Sequence, residues 1–404
     1  MDSRRKFSLQ SFHHAALRNV KGMRHCWECR RRCLVCDSEV PGCKRCHASG
    51  IHCPGYGDRK PTRLKWITPG RIRNTITPKA LVAKFYFYWG LAVRSLNEYL
   101  TIEDGRAGDT VIAGILTLLL TDGTSLNWRC HVDAIYKLIM SRGGFYAVAE
   151  STSMKPLLLC FWFVSVIGNT TCPASDLFMT TLQLEALKFV PEQYSTVASP
   201  FQLCPVPLFI EIIKINHLRM RATQLNAIDA EALQKEGYEI LERINCFSPH
   251  KLAESKRSSP GDWVLVGQVY QAAVALYCIL SLQSLSILPE IPALRIQCAT
   301  HGKVMETFLR EALASKKLKR FMIWPLVVLG VEAVHGDAPI RDFVAKELTE
   351  LSQDVGTYVP LTAKRVLEFF WAAGETRWDA CFGRPYVFTG QIAVDTSGLM
   401  PFYK

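Results

Sequence analysis

Seven cysteines lie between Cys26 and Cys53, and six of them follow a spacing that limits the local fold more than any other feature of the chain. With Cys33 set aside, the pattern is C-x2-C-x6-C-x6-C-x2-C-x6-C, so the triplet Cys26, Cys29 and Cys36 recurs 17 residues later as Cys43, Cys46 and Cys53. Each C-x2-C can bring two thiolates to one ion, and Zn2+ takes four ligands in a tetrahedron at about 2.3 Å. Three cysteines per half leave each site one ligand short. Six thiolates complete two tetrahedra only if two of them bridge both ions, which gives a cluster of net charge about −2 for nearby Arg and Lys to balance. Cys33 could compete as a ligand through its own C-x2-C with Cys36. A disulfide framework is not expected, because Met1 to His14 holds no apolar stretch that would serve as a secretory signal.

Charge is divided as unevenly as cysteine. Residues 1–78 carry 17 Lys and Arg against 5 Asp and Glu, while the remaining 326 carry 31 of each sign, so the whole formal charge of +12 sits in the first fifth of the chain. Such a footprint suits a polyanion. Residues 1–22 are basic and without period and are expected to form a flexible arm, 23–56 hold the cysteine block, and 57–77 mix Gly and Pro with cations and form a basic linker without heptads.

The residues around the cysteines resemble the fungal zinc binuclear cluster (six-cysteine) transcription factors. The resemblance is carried by His25-Cys26-Trp27-Glu28-Cys29-Arg30-Arg31-Arg32, Cys36-Asp37, Pro41-Gly42-Cys43-Lys44-Arg45-Cys46 and Cys53-Pro54-Gly55-Tyr56. It implies two zinc ions per chain held by Cys26, Cys29, Cys36, Cys43, Cys46 and Cys53. Cys26 and Cys43 would bridge, Pro41 would lie in the turn between halves, and two short helices would pack around the cluster. It further implies double-stranded DNA as partner. Arg30, Arg31 and Arg32 would enter the major groove at a CGG-type triplet, and Lys44, Arg45, Lys60, Arg63 and Lys65 would also lie at the DNA. The chain departs from the family at Cys33 and Val35, where Lys or Arg is usual, so phosphate attraction is kept while two donors to DNA are lost.

From Thr77-Pro78 onward the pattern is helical. Phe85, Trp89, Val93 and Leu96 share a face of a run over 79–100, and further helices are predicted over 111–120, 128–139 (Trp128, Val132, Ile135, Ile139), 155–167, 176–188, 207–223, 227–244, 263–287, 292–315, 340–354 and 361–373. Residues 78–404 read as one large all-α domain. Trp263 to Pro289 has no charged residue, but its interspersed Gln and Ser point to a buried bundle helix, with no membrane partner expected. This region resembles the fungal-specific regulatory domain at Leu126-Asn127-Trp128-Arg129-Cys130-His131, Arg142-Gly143-Gly144, Gly168-Asn169-Thr170-Thr171, Trp324-Pro325-Leu326 and Arg384-Pro385-Tyr386.

No catalytic constellation is expected. Cys130 and His131 are adjacent on a helix and cannot face each other as a dyad. The aromatic run Phe85–Trp89 reads as core. Lys316-Lys317-Leu318-Lys319-Arg320 fits a nuclear import signal and a cationic helix end equally well. The resulting expectation is a nuclear, non-enzymatic, zinc-dependent regulator of RNA polymerase II genes, pathway-specific in kind, with co-regulators or the transcription machinery as partners and homodimerisation left open. The alternative is a zinc-folded interaction protein whose DNA readout has degenerated at Cys33 and Val35.

Overall fold

A computed structural model describes residues 25–26, 28–29, 35–56, 87, 90–98, 109–121, 128–196, 204–224, 230–256, 259–355 and 357–389. Two units divide the chain, Met1–Lys84 and Phe85–Lys404. All regular secondary structure among the described residues is helical. Of the first unit the described part is the cysteine block, with a short helix Lys44–Ala48 and helical backbone at Glu28 and Cys29.

The second unit is built around the helix Pro260–Ser284, which packs against Val206–Gln224, Ala230–Asn245, Pro249–Glu254, Pro292–Ala314, Ile323–Glu332 and Trp378–Cys381. A helix surrounded on all sides has no face for charge, and this explains the uncharged run seen in the sequence. Among the described residues it alone is long and apolar enough to cross a membrane, yet 83% of its most apolar window is buried against other helices. Its neighbours show the one-sided pattern instead: Ala230–Asn245 buries Leu233, Gly237, Ile240, Leu241 and Ile244, and Trp128–Ser141 buries Trp128, Val132, Ile135 and Ile139.

Nine of the predicted helices from Val111 onward match to within a few residues. The one over 176–188 does not. The Asn169 side chain donates to Phe178 O (2.7 Å) and accepts from Phe178 N (3.0 Å), holding the backbone there outside a helix. Met179 then adopts φ 59°, and separate helices form over Thr180–Glu185 and Phe189–Thr196. Ile323–Glu332 escaped the periodicity reading because all ten of its residues are buried. Of the aromatic run Phe85–Trp89, only Phe87 lies among the described residues, and it is exposed. Residues 79–86 lie outside them.

Four of the five motifs of the second unit converge on the C-terminus of the helix Met154–Thr170. The Trp128 ring lies so close to Gly168 that a Cβ there would come within 2.7 Å of it. Trp324 Nε1 donates to Thr170 Oγ1 (2.7 Å), Trp378 Nε1 to Thr170 O (2.9 Å), and Thr171 Oγ1 to Tyr386 O (2.8 Å). Arg219, fully buried, completes the arrangement. Its guanidinium donates to the carbonyls of Asn169 (3.2 Å) and Cys172 (2.8 Å), to the Tyr277 hydroxyl (3.0 Å) and to Asp379 Oδ1 (2.6 Å). A cation at a helix C-terminus satisfies carbonyls that have no intrahelical partner and complements the negative end of the dipole. The basic run 316–320 is folded: Leu318 is buried, Lys319 pairs with Asp354, and Arg320 lies over the Phe321 ring.

Removing one member of a buried, hydrogen-bonded charge pair leaves its partners desolvated and short of a bond. Arg219→Met should therefore destabilise the helical unit by about 3–5 kcal/mol, read as the shift in urea midpoint of the 222 nm circular dichroism signal. Gly168→Ala should cost about 1–3 kcal/mol by forcing the Trp128 ring aside.

Candidate metal centre

The six cysteines of the regular spacing come together. Cys26, Cys29, Cys36, Cys43 and Cys46 are buried and Cys53 partly so. Sγ–Sγ separations are 3.6 Å for Cys26–Cys43, 3.7 Å for Cys26–Cys46 and 3.6 Å for Cys29–Cys43. A tetrahedral tetrathiolate with metal–sulfur bonds near 2.3 Å needs sulfurs about 3.8 Å apart. The sulfurs of Cys26, Cys29, Cys43 and Cys46 all lie within 4.8 Å of one another, so these four could hold a metal ion. The donor set fits a soft or borderline cation.

Cys43 is the centre of the group, and Cys26 and Cys29 each meet four of the other sulfurs. Cys43 Sγ interacts with the thiols of Cys26, Cys29, Cys36, Cys46 and Cys53, and Cys26 Sγ with those of Cys29, Cys43, Cys46 and Cys53. Backbone amides close both knuckles: Cys29 N donates to Cys26 Sγ and Cys46 N to Cys43 Sγ, each at 3.3 Å. Burial pushes the Cys29 thiol up to about 12, so a proton holds on there unless a cation displaces it. Burial also acts upward on Cys36, but the amides of Cys26 and Ser38 donate to its sulfur, the Tyr56 hydroxyl lies beside it, and together they leave it lowered to about 6. Cys36 is the thiol that this local backbone already prepares as a thiolate.

The two halves meet closely at Gly42, where a Cβ would lie 3.1 Å from Cys53 Cβ. Pro41 lies in the bend just before it, after a cis Val40–Pro41 bond. The helix Lys44–Ala48 starts with two cations in its first turn, which the dipole disfavours. Asp37 offsets them: its carboxylate accepts from Lys44 N (3.2 Å), Arg45 N (3.1 Å) and Glu39 N (3.1 Å), and these amides hold its pKa low. With Cys46 N bonded to Cys43 Sγ, the first three amides of the helix all have acceptors. Tyr56 Oη donates to Glu39 O (2.6 Å) and lies 3.8 Å from Cys36 Sγ. Neither Asp37 nor Tyr56 was given a role by the sequence reading, since an Asp seven residues before a helix is not at a local capping offset.

Of the residues proposed to meet DNA, Lys44 and Arg45 are exposed, with Lys44 paired to Glu39. Arg30, Arg31, Arg32, Lys60, Arg63 and Lys65 lie outside the described residues, as does Cys33. Val35 is described and 73% exposed. Asp37→Ala should weaken metal retention against a competing chelator, with a loss of about 0.5–2 kcal/mol in line with the loss of a helix cap. Asp37→Asn, which keeps an acceptor, should recover part of it.

Residues 80–383 match the family described as the fungal specific transcription factor domain. The chain is 43% identical over 481 aligned positions to the phomenoic acid biosynthesis cluster-specific transcriptional regulator of Leptosphaeria maculans, covering 95% of this chain and 92% of that one. Two proteins of Diaporthe leptostromiformis, transcription factors phomR' and phomR, are each 49% identical over 45 residues, 11% of this chain and 7% of theirs. No solved structure matches. A buried thiol cluster stands ahead of a helical unit that matches along most of its length, and the chain belongs to the fungal-specific transcription factor domain family, whose members regulate transcription.

Proposed function

We propose that the chain is a nuclear regulator of RNA polymerase II genes, folded at its N-terminus by two zinc ions and reading CGG-type triplets in double-stranded DNA. The observation that carries this reading is the joining, in one chain, of a six-cysteine cluster with the fungal specific transcription factor domain. In it residues 1–22 form a basic arm, 23–56 the zinc cluster, 57–77 a basic linker and 78–404 the regulatory domain. The central position of Cys43 among the sulfurs supports it as one bridging ligand, and the resemblance names Cys26, 3.6 Å from it, as the other. Zinc, when bound, supplies a cross-link and no reaction; the fold around it is fixed by the amide–sulfur bonds and the Asp37 cap. The relative described as specific to a biosynthesis cluster supports a comparable pathway-specific role here.

Arg30, Arg31 and Arg32 would read guanine O6 and N7, while Lys60, Arg63 and Lys65 would contact phosphates along with Lys44 and Arg45. The second reading, an interaction protein with degenerate DNA readout, is favoured by one observation: Val35 presents an exposed apolar side chain where the resembled family has a cation.

Metal analysis of the full chain should find two zinc ions. Cys43→Ser should lose both, while Cys33→Ser should keep both. A value of one ion per chain in the unaltered protein would remove the bridged-cluster assignment.

In gel shifts of the full chain, affinity should fall steeply between 50 and 200 mM salt, and the unaltered protein should prefer CGG-containing duplexes over scrambled ones. Cys33→Lys with Val35→Lys should raise CGG affinity by about tenfold or more, and raise scrambled-duplex affinity less. Equal binding to both duplexes by the unaltered protein supports the second reading.

A further inference from the structure

Where the helix Pro260–Ser284 ends and the helix Pro292–Ala314 begins lies a cavity of about 410 Å³, within the range of about 300–1,000 Å³ usual for small-ligand sites. Gln283 Nε2 donates to Pro289 O (2.9 Å) and so ties the turn between the two helices to the first of them. That turn brings Glu290 and Ile291 to the cavity wall, and Leu280 adds further apolar surface. The lining carries both signs of charge, with Arg295 and Arg377 present together with Glu290 and His335. Arg295 pairs with Glu332 and Arg377 with Glu375 (3.4 Å), but a guanidinium offers several N–H donors, and each keeps some beyond its one carboxylate. The 23-residue helix opens at the same place. Its N-cap residue, Ile291, has no side-chain acceptor and its first turn no acidic residue, so no side chain of that turn caps the amides after Pro292, and the positive end of the dipole adds to the potential there. Burial and Arg295 lower the His335 pKa against an opposing pull from Glu290, so these groups act on one space.

We propose that this cavity binds a free aliphatic α-amino acid, its carboxylate at Arg295, Arg377 and the helix amides, its ammonium at Glu290, and its side chain against Leu280 and Ile291. The choice follows from the mixed lining. A simple carboxylate would take the guanidinium and helix donors but face Glu290, an amine would meet Glu290 but face two guanidiniums, and an uncharged ligand would desolvate both signs without pairing either. A zwitterion uses both. Glu290 lies two residues before the first residue of the helix, and an α-amino acid likewise carries its two charges close together. Ser284, another lining residue, accepts from Asp379 N through its hydroxyl (3.1 Å), and Asp379 is the carboxylate that holds Arg219. A ligand here lies against the residue that positions that carboxylate, and its occupation should raise the thermal midpoint of the helical unit. The site is on the helical unit and its occupation needs no DNA, so it stands apart from the zinc-finger reading.

Isothermal titration calorimetry of the full chain compares L-leucine with 4-methylpentanoate, which lacks the ammonium, and 3-methylbutylamine, which lacks the carboxylate. L-Leucine should bind saturably, and each analogue at least about tenfold more weakly. Glu290→Gln should weaken L-leucine by about tenfold and leave 4-methylpentanoate no weaker, while Arg377→Gln should weaken both. Glu290 and Arg377 are exposed, so neither change disturbs the core. Arg295 is kept, because its loss would leave the buried Glu332 carboxylate unpaired. If one variant loses its helical circular dichroism, the other decides together with the analogue series. Absence of L-leucine binding, equal affinities for L-leucine and 4-methylpentanoate, or an unshifted L-leucine affinity in a folded variant would each overturn the proposal. None of these results bears on zinc content or DNA affinity.

Discussion

The helical unit depends on a guanidinium with no access to water. A buried cation is costly unless it is paired and hydrogen-bonded, and the two terminal nitrogens of Arg219 donate to two carbonyls at one helix end, a phenol and a carboxylate, drawn from three separate segments. The arrangement extends outward. The Tyr277 hydroxyl donates to Asn216 Oδ1, Asn216 Nδ2 donates to Val166 O (3.0 Å), and Asp379 also accepts from Ala174 N (3.1 Å). Apolar packing alone would tolerate several ways of arranging these helices, whereas a buried network with directional bonds tolerates few.

The thiol cluster solves a different problem. A segment of this size cannot bury enough apolar surface to fold on packing alone. It uses sulfur separations near those of a tetrahedral site, two amide–sulfur knuckles and a carboxylate cap. The helix Lys44–Ala48 is five residues long and would not persist by propensity. Cys43 and Asp37 hold it by accepting its first amides, and Gly42 lets the two halves close.

Much of this could be read from residues alone. The cysteine spacing pointed to sulfurs gathered in one place, and the six regular cysteines do come together. Stripes such as Trp128, Val132, Ile135 and Ile139 gave correct helices because one face was wet and the other dry. Where both faces are dry, as in Ile323–Glu332, the period vanishes and the sequence is silent. The break at Phe178 was equally hidden, because its cause is a side chain nine residues upstream. Arg219 carries no mark of its role: in sequence it is one more cation on a helix, and its acceptors are identified only by the tertiary fold. Asp37 and Tyr56 were visible in the motif, but their geometry was not.

The order of synthesis separates the two units. All six thiolates of the cluster lie within 28 residues, so that site is complete as soon as Cys53 has left the ribosome. The Arg219 network is not. Its carboxylate lies 160 residues downstream, and Trp378 reaches back 208 residues to Thr170. Until Asp379 has emerged, a nascent chain has nothing with which to neutralise the guanidinium at its centre, and the Met154–Thr170 helix retains carbonyls that its partners have yet to cover. Contacts closed over such distances make folding slow and leave apolar surface open meanwhile. The ribosome therefore releases a thiol cluster that could hold a metal ion well before the helical unit can complete its core, and that interval is when the chain most needs chaperone protection.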